Sequence, residues 1–242
     1  MSIIVNNLNL KDFLNKLELK LLTLVNNLTG EPEFDHPDTV EAIRFFVDLT
    51  RYAPPDVYTY SHEEALNAFM QGRTAVWLDA SALIGRILDP AHSVIYDRVN
   101  FVPNPDGPKG KHGTIAGWSF FIPSDATDPE LSWAWIVYMA SRAVSVQYHE
   151  HGGVPNRTSI FTNPDLIAED WTLPIQLASL ENTMGMIEER GITPLPDFWW
   201  VAELNSIAGT FVSSAMAGEF TVEEAARRGQ LEMLEHMEDF VR

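Results

Sequence analysis

Apolar residues recur at helical spacing along most of this chain, in runs that open on capping residues and close on glycine. Behind Asp38-Thr39-Val40-Glu41, which has capping-box spacing, Val40, Ile43, Phe46 and Val47 share one face. Ser61-His62-Glu63-Glu64 repeats that spacing ahead of Ala65, Ala68 and Phe69, and Gly72 supplies the left-handed residue that stops the run. Asp128-Pro129 opens a further helix with proline at its first position. Its apolar face takes in Leu131, Ala134, Trp135, Tyr138 and Met139, and Trp133 and Trp135 are expected in the core. The C-terminal third reads as mostly helical: one helix runs from Trp200 to Ala217 and stops at Gly218, and Thr221-Val222-Glu223-Glu224 caps the last. Strand signals are shorter. Thr74 to Leu78, Val99 to Val102 and Ser119 to Ile122 are compact apolar runs bounded by turn residues, as buried strands of an α/β sheet would be.

Composition narrows the class. With 242 residues and 45% hydrophobic content the chain can bury a substantial core in one or two domains. A net charge of -18 disfavours nucleic acid and anionic membrane surfaces as partners, because phosphate binding needs clustered Lys and Arg. Cysteine is absent, so disulfides, thiolate zinc sites and a cysteine nucleophile are excluded. No stretch approaches the roughly 18 apolar residues of a membrane span, and the N-terminus lacks the pattern of a signal peptide. Residues 1–26 are rich in Asn and Lys and hold no Gly, Pro or Arg, whereas the remainder holds every one of those. That break suggests a truncated or rejoined chain; the alternative is an ordinary N-terminal helix, since Leu10, Phe13, Leu14, Leu17, Leu21 and Leu24 are helically spaced.

Motifs of catalysis are weak. His149-Glu150-His151 invites a metal reading, but residues two apart on a helix point to different sides and no third ligand stands out. Glu188-Glu189 and Glu223-Glu224 read as exposed helix charge. Neither a nucleophile elbow, a phosphate loop nor a dinucleotide fingerprint is present, and no cofactor or metal is expected.

The stretch from Gly113 to Arg157, GTIAGWSFFIPSDATDPELSWAWIVYMASRAVSVQYHEHGGVPNR, is the most distinctive. Together with GEPEFDHPDTVEAIRFFVDL, EEALNAFMQGRTAVWLDAS, NFVPNPDGPKG and TPLPDFWW it resembles the second half of a family 1 extracellular solute-binding protein, the group that includes maltose-binding and sugar-alcohol-binding proteins. The resemblance runs from about Thr29 to Arg242. It implies an α/β, helix-rich fold of the type II periplasmic-binding-protein kind, holding mostly the second lobe plus segments that cross to the first. The implied division is an atypical helical segment at 1–26, a second-lobe α/β segment at 27–115, a crossing segment at 116–160 and a helical return at 161–242. It implies, further, the substrate-binding component of an ABC importer, located outside the cytoplasm, monomeric when full length, and working with membrane permease subunits.

A neutral sugar or polyol is held by aromatic faces and by carboxylate, amide and guanidinium groups on its hydroxyls. The resemblance therefore points to Trp77, Trp118, Trp199 and Trp200 as stacking platforms, with core packing as the alternative for each. Asp79 would meet hydroxyls beside a short helix begun at Ser81. Gly117 would let backbone approach the ligand, Gly152-Gly153 would end a helix ahead of the binding loop Val154-Pro155-Asn156-Arg157, and Arg157, with Asn156 as companion, would donate to adjacent hydroxyls. For Arg157 the alternative is a salt bridge tying loop to helix. Two other readings stay open: a carbohydrate-active enzyme using a carboxylate pair about 5–9 Å apart, and a non-functional remnant of a disrupted gene.

Overall fold

Side chains that accept from the first free backbone N–H groups set where the helices of this chain begin. The computed structural model describes residues 3–5, 26, 29–104, 113, 115, 117, 119–190 and 201–241. Strand β1 (Ile3–Val5) is followed by α1 (Pro37–Leu49) and α2 (His62–Met70), then β2 (Val76–Leu78), the short α3 (Ile84–Ile87), α4 (Pro129–Met139) and α5 (Arg142–Glu150). After them come the short α6 (Thr158–Phe161) and α7 (Pro164–Glu169), then α8 (Leu173–Arg190), α9 (Val201–Met216) and α10 (Val222–Val241).

Most of the expected caps form. Ser61 Oγ accepts from Glu63 N at 3.2 Å while Ser61 N donates to Glu64 Oε2 at 2.9 Å, closing the capping box of α2. At the other end Gly72 takes φ +68° and Arg73 N donates to Ala68 O at 3.0 Å, the reversal only glycine makes without strain. Asp128 accepts from Leu131 N at 2.9 Å ahead of Pro129, and Glu224 N donates to Thr221 Oγ1 at 3.2 Å. For α1 the expectation needs correcting: its cap is His36, not Asp38. Nδ1 of His36 accepts from Asp38 N at 3.3 Å, and Pro37 occupies the first helical position, where its missing N–H costs nothing.

The strand expectations are corrected more heavily. Thr74 to Leu78 shortens to β2, which pairs antiparallel with β1 so that Ile4 faces Trp77. Neither Val99 to Val102 nor Ser119 to Ile122 forms a strand, and Val102, Phe120 and Phe121 are 71%, 60% and 83% exposed. An extended run becomes a strand only beside a neighbour that completes its ladder, and among the described residues the sole sheet is the β1–β2 pair. The segment 1–26 thus contributes a strand at its head; its helically spaced positions Leu10 to Leu24 lie outside the described residues.

Contacts divide the chain into two units. Unit 1 comprises Met1–Asp79, Asn104–Thr114 and Asn182–Arg242, and unit 2 comprises Ala80–Pro103 and Ile115–Glu181. Each unit is assembled from separate stretches of the chain, because contacts between elements distant in sequence define it.

In unit 1, Phe34 of the segment before α1 joins Ile43 of α1, Leu204 and Ala208 of α9, and Ala226 and Met233 of α10 in one core. Phe34 is fully buried against Gly229, where an added Cβ would lie 2.5 Å from its ring. The Gln230 amide holds the same segment, accepting from Phe34 N at 2.7 Å and donating to Pro32 O at 2.8 Å. A second cluster packs Leu49, Phe45, Phe46 and Tyr52 under Val76 and Leu78 of β2. Arg44 of α1 pairs with Glu223 at the start of α10, and Glu224 takes Arg228 at 2.6 Å and Arg227 at 3.0 Å.

Unit 2 has a smaller core of Ile160, Phe161, Leu166 and Leu173, with Val146 and Leu177 against it. Helix α4 buries no residue. Trp133 and Trp135, expected in the core, are 61% and 50% exposed. The reason lies in the pattern: apolar residues surround this helix, so a single neighbouring surface cannot cover it.

Two measurements follow from this packing. Gly229→Ala should lower stability by about 1–2 kcal/mol in urea melts, because a Cβ 2.5 Å from the Phe34 ring puts the overpacking cost in the upper part of its range, about 2–3 kcal/mol, against roughly 1 kcal/mol of helix propensity gained. An unchanged midpoint would mean that the Phe34 ring moves aside freely. The Arg228 and Arg227 guanidiniums hold the Glu224 carboxyl below its ordinary value, so the stabilisation is present above about pH 4.5 and lost as pH falls through the lowered value. Calorimetry as a function of pH should therefore show Glu224→Gln reducing Tm at pH 7, with the difference from the native chain vanishing once pH has fallen through the lowered value.

Candidate functional site

The end of β2 gathers the first set of candidate residues. Trp77 is half-buried, its indole 5.7 Å from the Phe69 ring and 6.2 Å from the His62 ring, over Ala65 and Ala68 of α2. That is the packing alternative realised: Trp77 fastens β2 to α2. Its Nε1–H is nonetheless buried without a protein partner, as is the Thr74 hydroxyl at the start of the same run. Each such donor costs about 1–3 kcal/mol unless something else accepts from it. Two residues on, Asp79 keeps only 8% of its side chain exposed and faces His62 Nδ1 at 3.2 Å. Nearby Tyr60 has its phenol pushed above the ordinary value by partial burial and by the Asp56 carboxylate.

The remaining described candidates belong to unit 2. Ser81 is the exposed first residue of a 3₁₀ turn whose cap position is Ala80, so its hydroxyl does not cap the turn. Gly117 is exposed, with open space where a side chain would stand. Trp118, Trp199 and Trp200 lie outside the described residues.

Gly153, Asn156 and Arg157 share one loop, and the end of α5 builds it. Gly152 takes φ +85°, Gly152 N donates to His149 O at 2.8 Å, and Gly153 N to Tyr148 O at 2.9 Å, which turns the chain sharply out of the helix. Gly85 of α3 backs this turn so closely that an added Cβ would lie 2.9 Å from Gly152 O. From inside, His149 Nδ1 donates to Gly153 O at 3.4 Å while Nε2 faces Asp170 Oδ2 at the same separation. The Asn156 side-chain oxygen accepts from Ser145 Oγ at 3.2 Å.

Arg157 does tie loop to helix, but not through a salt bridge. Its Nε donates to Ala140 O at 3.1 Å and its Nη2 to the same carbonyl, so the guanidinium closes the C-terminus of α4. A planar fork holding one carbonyl with two donors still carries three more N–H groups.

Sequence reasoning missed His62, His149 and Gly85. A histidine's reach to a carboxylate or carbonyl distant along the chain leaves no periodic trace, whereas the isolated Gly85 within a helical run was a readable sign of close backbone approach. His149 and His151 hold separate partners, since His151 Nδ1 donates to Gln147 O at 2.8 Å. Among the described residues no group of three or more His, Asp or Glu could hold a metal ion. Glu223 and Glu224 are engaged with arginines, and Glu188 and Glu189 are exposed.

A family model described as bacterial extracellular solute-binding protein matches residues 7–145. The chain belongs to that family. This solute-binding protein is 25% identical to a mannitol-binding protein of Pseudomonas aeruginosa, over 83% of its own length and 48% of the relative's. An ABC transporter solute-binding protein of Agrobacterium radiobacter K84, solved with ribitol, superposes with a TM-score of 0.72 at 26% identity, covering 87% of this chain and 52% of that one. Its counterpart from Agrobacterium vitis S4, solved with D-mannitol, gives a TM-score of 0.73 at 20% identity, covering 94% and 57%. The fold is accordingly that of type II periplasmic binding proteins, and the chain spans about half the length of these three proteins.

The capping role of Arg157 is directly testable. Arg157→Ala should cost about 1 kcal/mol in thermal or urea melts, and Arg157→Lys should recover little of it, because an ammonium cannot place two donors on one carbonyl. Equal stability of all three forms would show that the contact with Ala140 contributes nothing.

Proposed function

We propose that this chain is the substrate-binding component of an ABC importer and that it holds a sugar or sugar alcohol without changing it chemically. One observation carries the reading: the relative and the solved structure at 25% and 26% identity are a mannitol-binding protein and a ribitol complex. The end of β2 supports it, since the Trp77 indole N–H and the Thr74 hydroxyl are buried donors without protein partners, near an Asp79 carboxylate that can accept from a hydroxyl. Polyols supply hydroxyls that both accept and donate. Asp79, with Ser81, Gly117, Gly153, Asn156, the free donors of Arg157 and the rings of Trp118, Trp199 and Trp200, makes up the proposed binding set. Trp77 contributes its N–H more than its packed faces. The partners are membrane permease subunits, the location is outside the cytoplasm, and neither cofactor nor metal takes part.

Thermal melts with ribitol, mannitol, tagatose and maltose, and an amino-acid panel as control, test this. A ligand at about 100 times its Kd should stabilise the protein by roughly 2.7 kcal/mol, and Asp79→Asn should shrink that shift. A cooperative melt that no polyol or sugar moves would sink the reading, and a shift with amino acids alone would replace it.

A further inference from the structure

We propose that His62 is the group through which the end of β2 meets a ligand, with its Nε2 on a hydroxyl and Asp79 holding the ring. The inference deepens the sugar or polyol reading and rests on it. Of the two side chains the carboxylate is the less accessible: Asp79 keeps 8% of its side chain exposed and His62 47%. Asp79 therefore has little surface to offer a hydroxyl directly. What it offers is an acceptor for His62 Nδ1 at 3.2 Å. The partner on one ring nitrogen decides what the other presents. With Nδ1–H given to the carboxylate, a neutral imidazole presents a lone pair at Nε2, and an imidazolium presents an N–H there. A hydroxyl satisfies both forms, because it accepts as well as donates. Among the described residues Nε2 of His62 has no protein partner.

The helix start leaves the ring as the available polar group. Ser61 and Glu64 close the capping box, which makes His62 the first residue of α2, and Glu63 N is already taken by Ser61 Oγ. The imidazole stands 6.2 Å from the Trp77 ring with the two planes inclined at 59°, and Tyr60 packs with Trp77 over Ala65 and Ala68. Apolar ring surface thus adjoins a hydrogen-bonding nitrogen. That pairing suits a neutral polyhydroxylated chain, whose C–H groups lie on aromatic carbon while its hydroxyls need polar partners. Asp79 is then a positioning residue, fixing which way the imidazole turns.

The test titrates ribitol, mannitol, tagatose and maltose into the native, His62→Asn, His62→Gln and Asp79→Ala chains and into the His62→Asn, Asp79→Ala double variant. Affinity is read by calorimetry, Tm without ligand by thermal melts, and the His62 ring by NMR. Asparagine carries an amide nitrogen as many bonds from the backbone as Nδ1, and glutamine as many as Nε2, so the first keeps a donor for Asp79 and loses the outward group while the second does the reverse. The His62 ring resonances should move on titration and saturate with the ligand. His62→Asn should leave Tm unchanged and weaken affinity about five- to tenfold, the size of one uncharged hydrogen bond, and His62→Gln should recover part of that loss. Asp79→Ala should cost less affinity in the His62→Asn background than in the native chain, because the carboxylate acts through the ring. Binding with motionless His62 resonances, affinity indifferent to His62→Asn, or fully additive losses from the two sites would overturn the inference and leave the sugar or polyol reading standing. No binding of any of the four by the native chain would overturn both.

Discussion

Two hydrogen bonds from one amide close almost the whole described chain into a loop. Gln230 of α10 accepts from Phe34 N and donates to Pro32 O, across 196 and 198 residues. Closing so long a loop costs conformational entropy that two bonds could not offset alone. The offset comes from the ring between them: Phe34 is fully buried, seated where Gly229 leaves no side chain in the way, with Ile43, Leu204 and Met233 around it. Once that contact is made, α1 and α10 are fixed together, Arg44 meets Glu223, and Leu49 and Phe46 are carried under β2. The candidate residues Trp77 and Asp79 inherit their positions from this chain of packing.

Unit 2 shows the opposite balance. Its helices are well specified locally: Asp128 and Pro129 start α4, Ser141 caps α5, and Arg157 closes α4 from a distance of 17 residues. Capping stabilises a helix but does not bury it, and most helical stability in proteins comes from a packed face. The large hydrophobic residues Leu131, Trp133, Trp135 and Tyr138 of α4 are all exposed.

The candidate residues divide the same way. Several polar groups that a sugar site would use serve the scaffold: Arg157 caps a helix, Asn156 meets Ser145, and Asp79 faces His62. A loop ordered in advance loses less affinity to ordering when a ligand binds. The Gly85–Gly152 contact and the two-sided engagement of His149 give the 152–157 loop that rigidity.

By itself the sequence determined what depends on near neighbours. Caps at Ser61, Asp128 and Thr221, stops at Gly72, Gly152 and Gly218, and the inner faces of α1 and α2 were all legible, because each rests on residues within one or two turns. Family membership was legible for a related reason: the order of such local signals is itself distinctive. The sequence could not decide whether Val99 to Val102 and Ser119 to Ile122 become strands, or whether Trp133 and Trp135 become core. Both outcomes depend on a partner surface distant along the chain. The tertiary structure alone assigned Arg157 to Ala140, His62 to Asp79 and Gly229 to Phe34, since a long-range contact is a property of the packed pair and leaves no pattern in either segment.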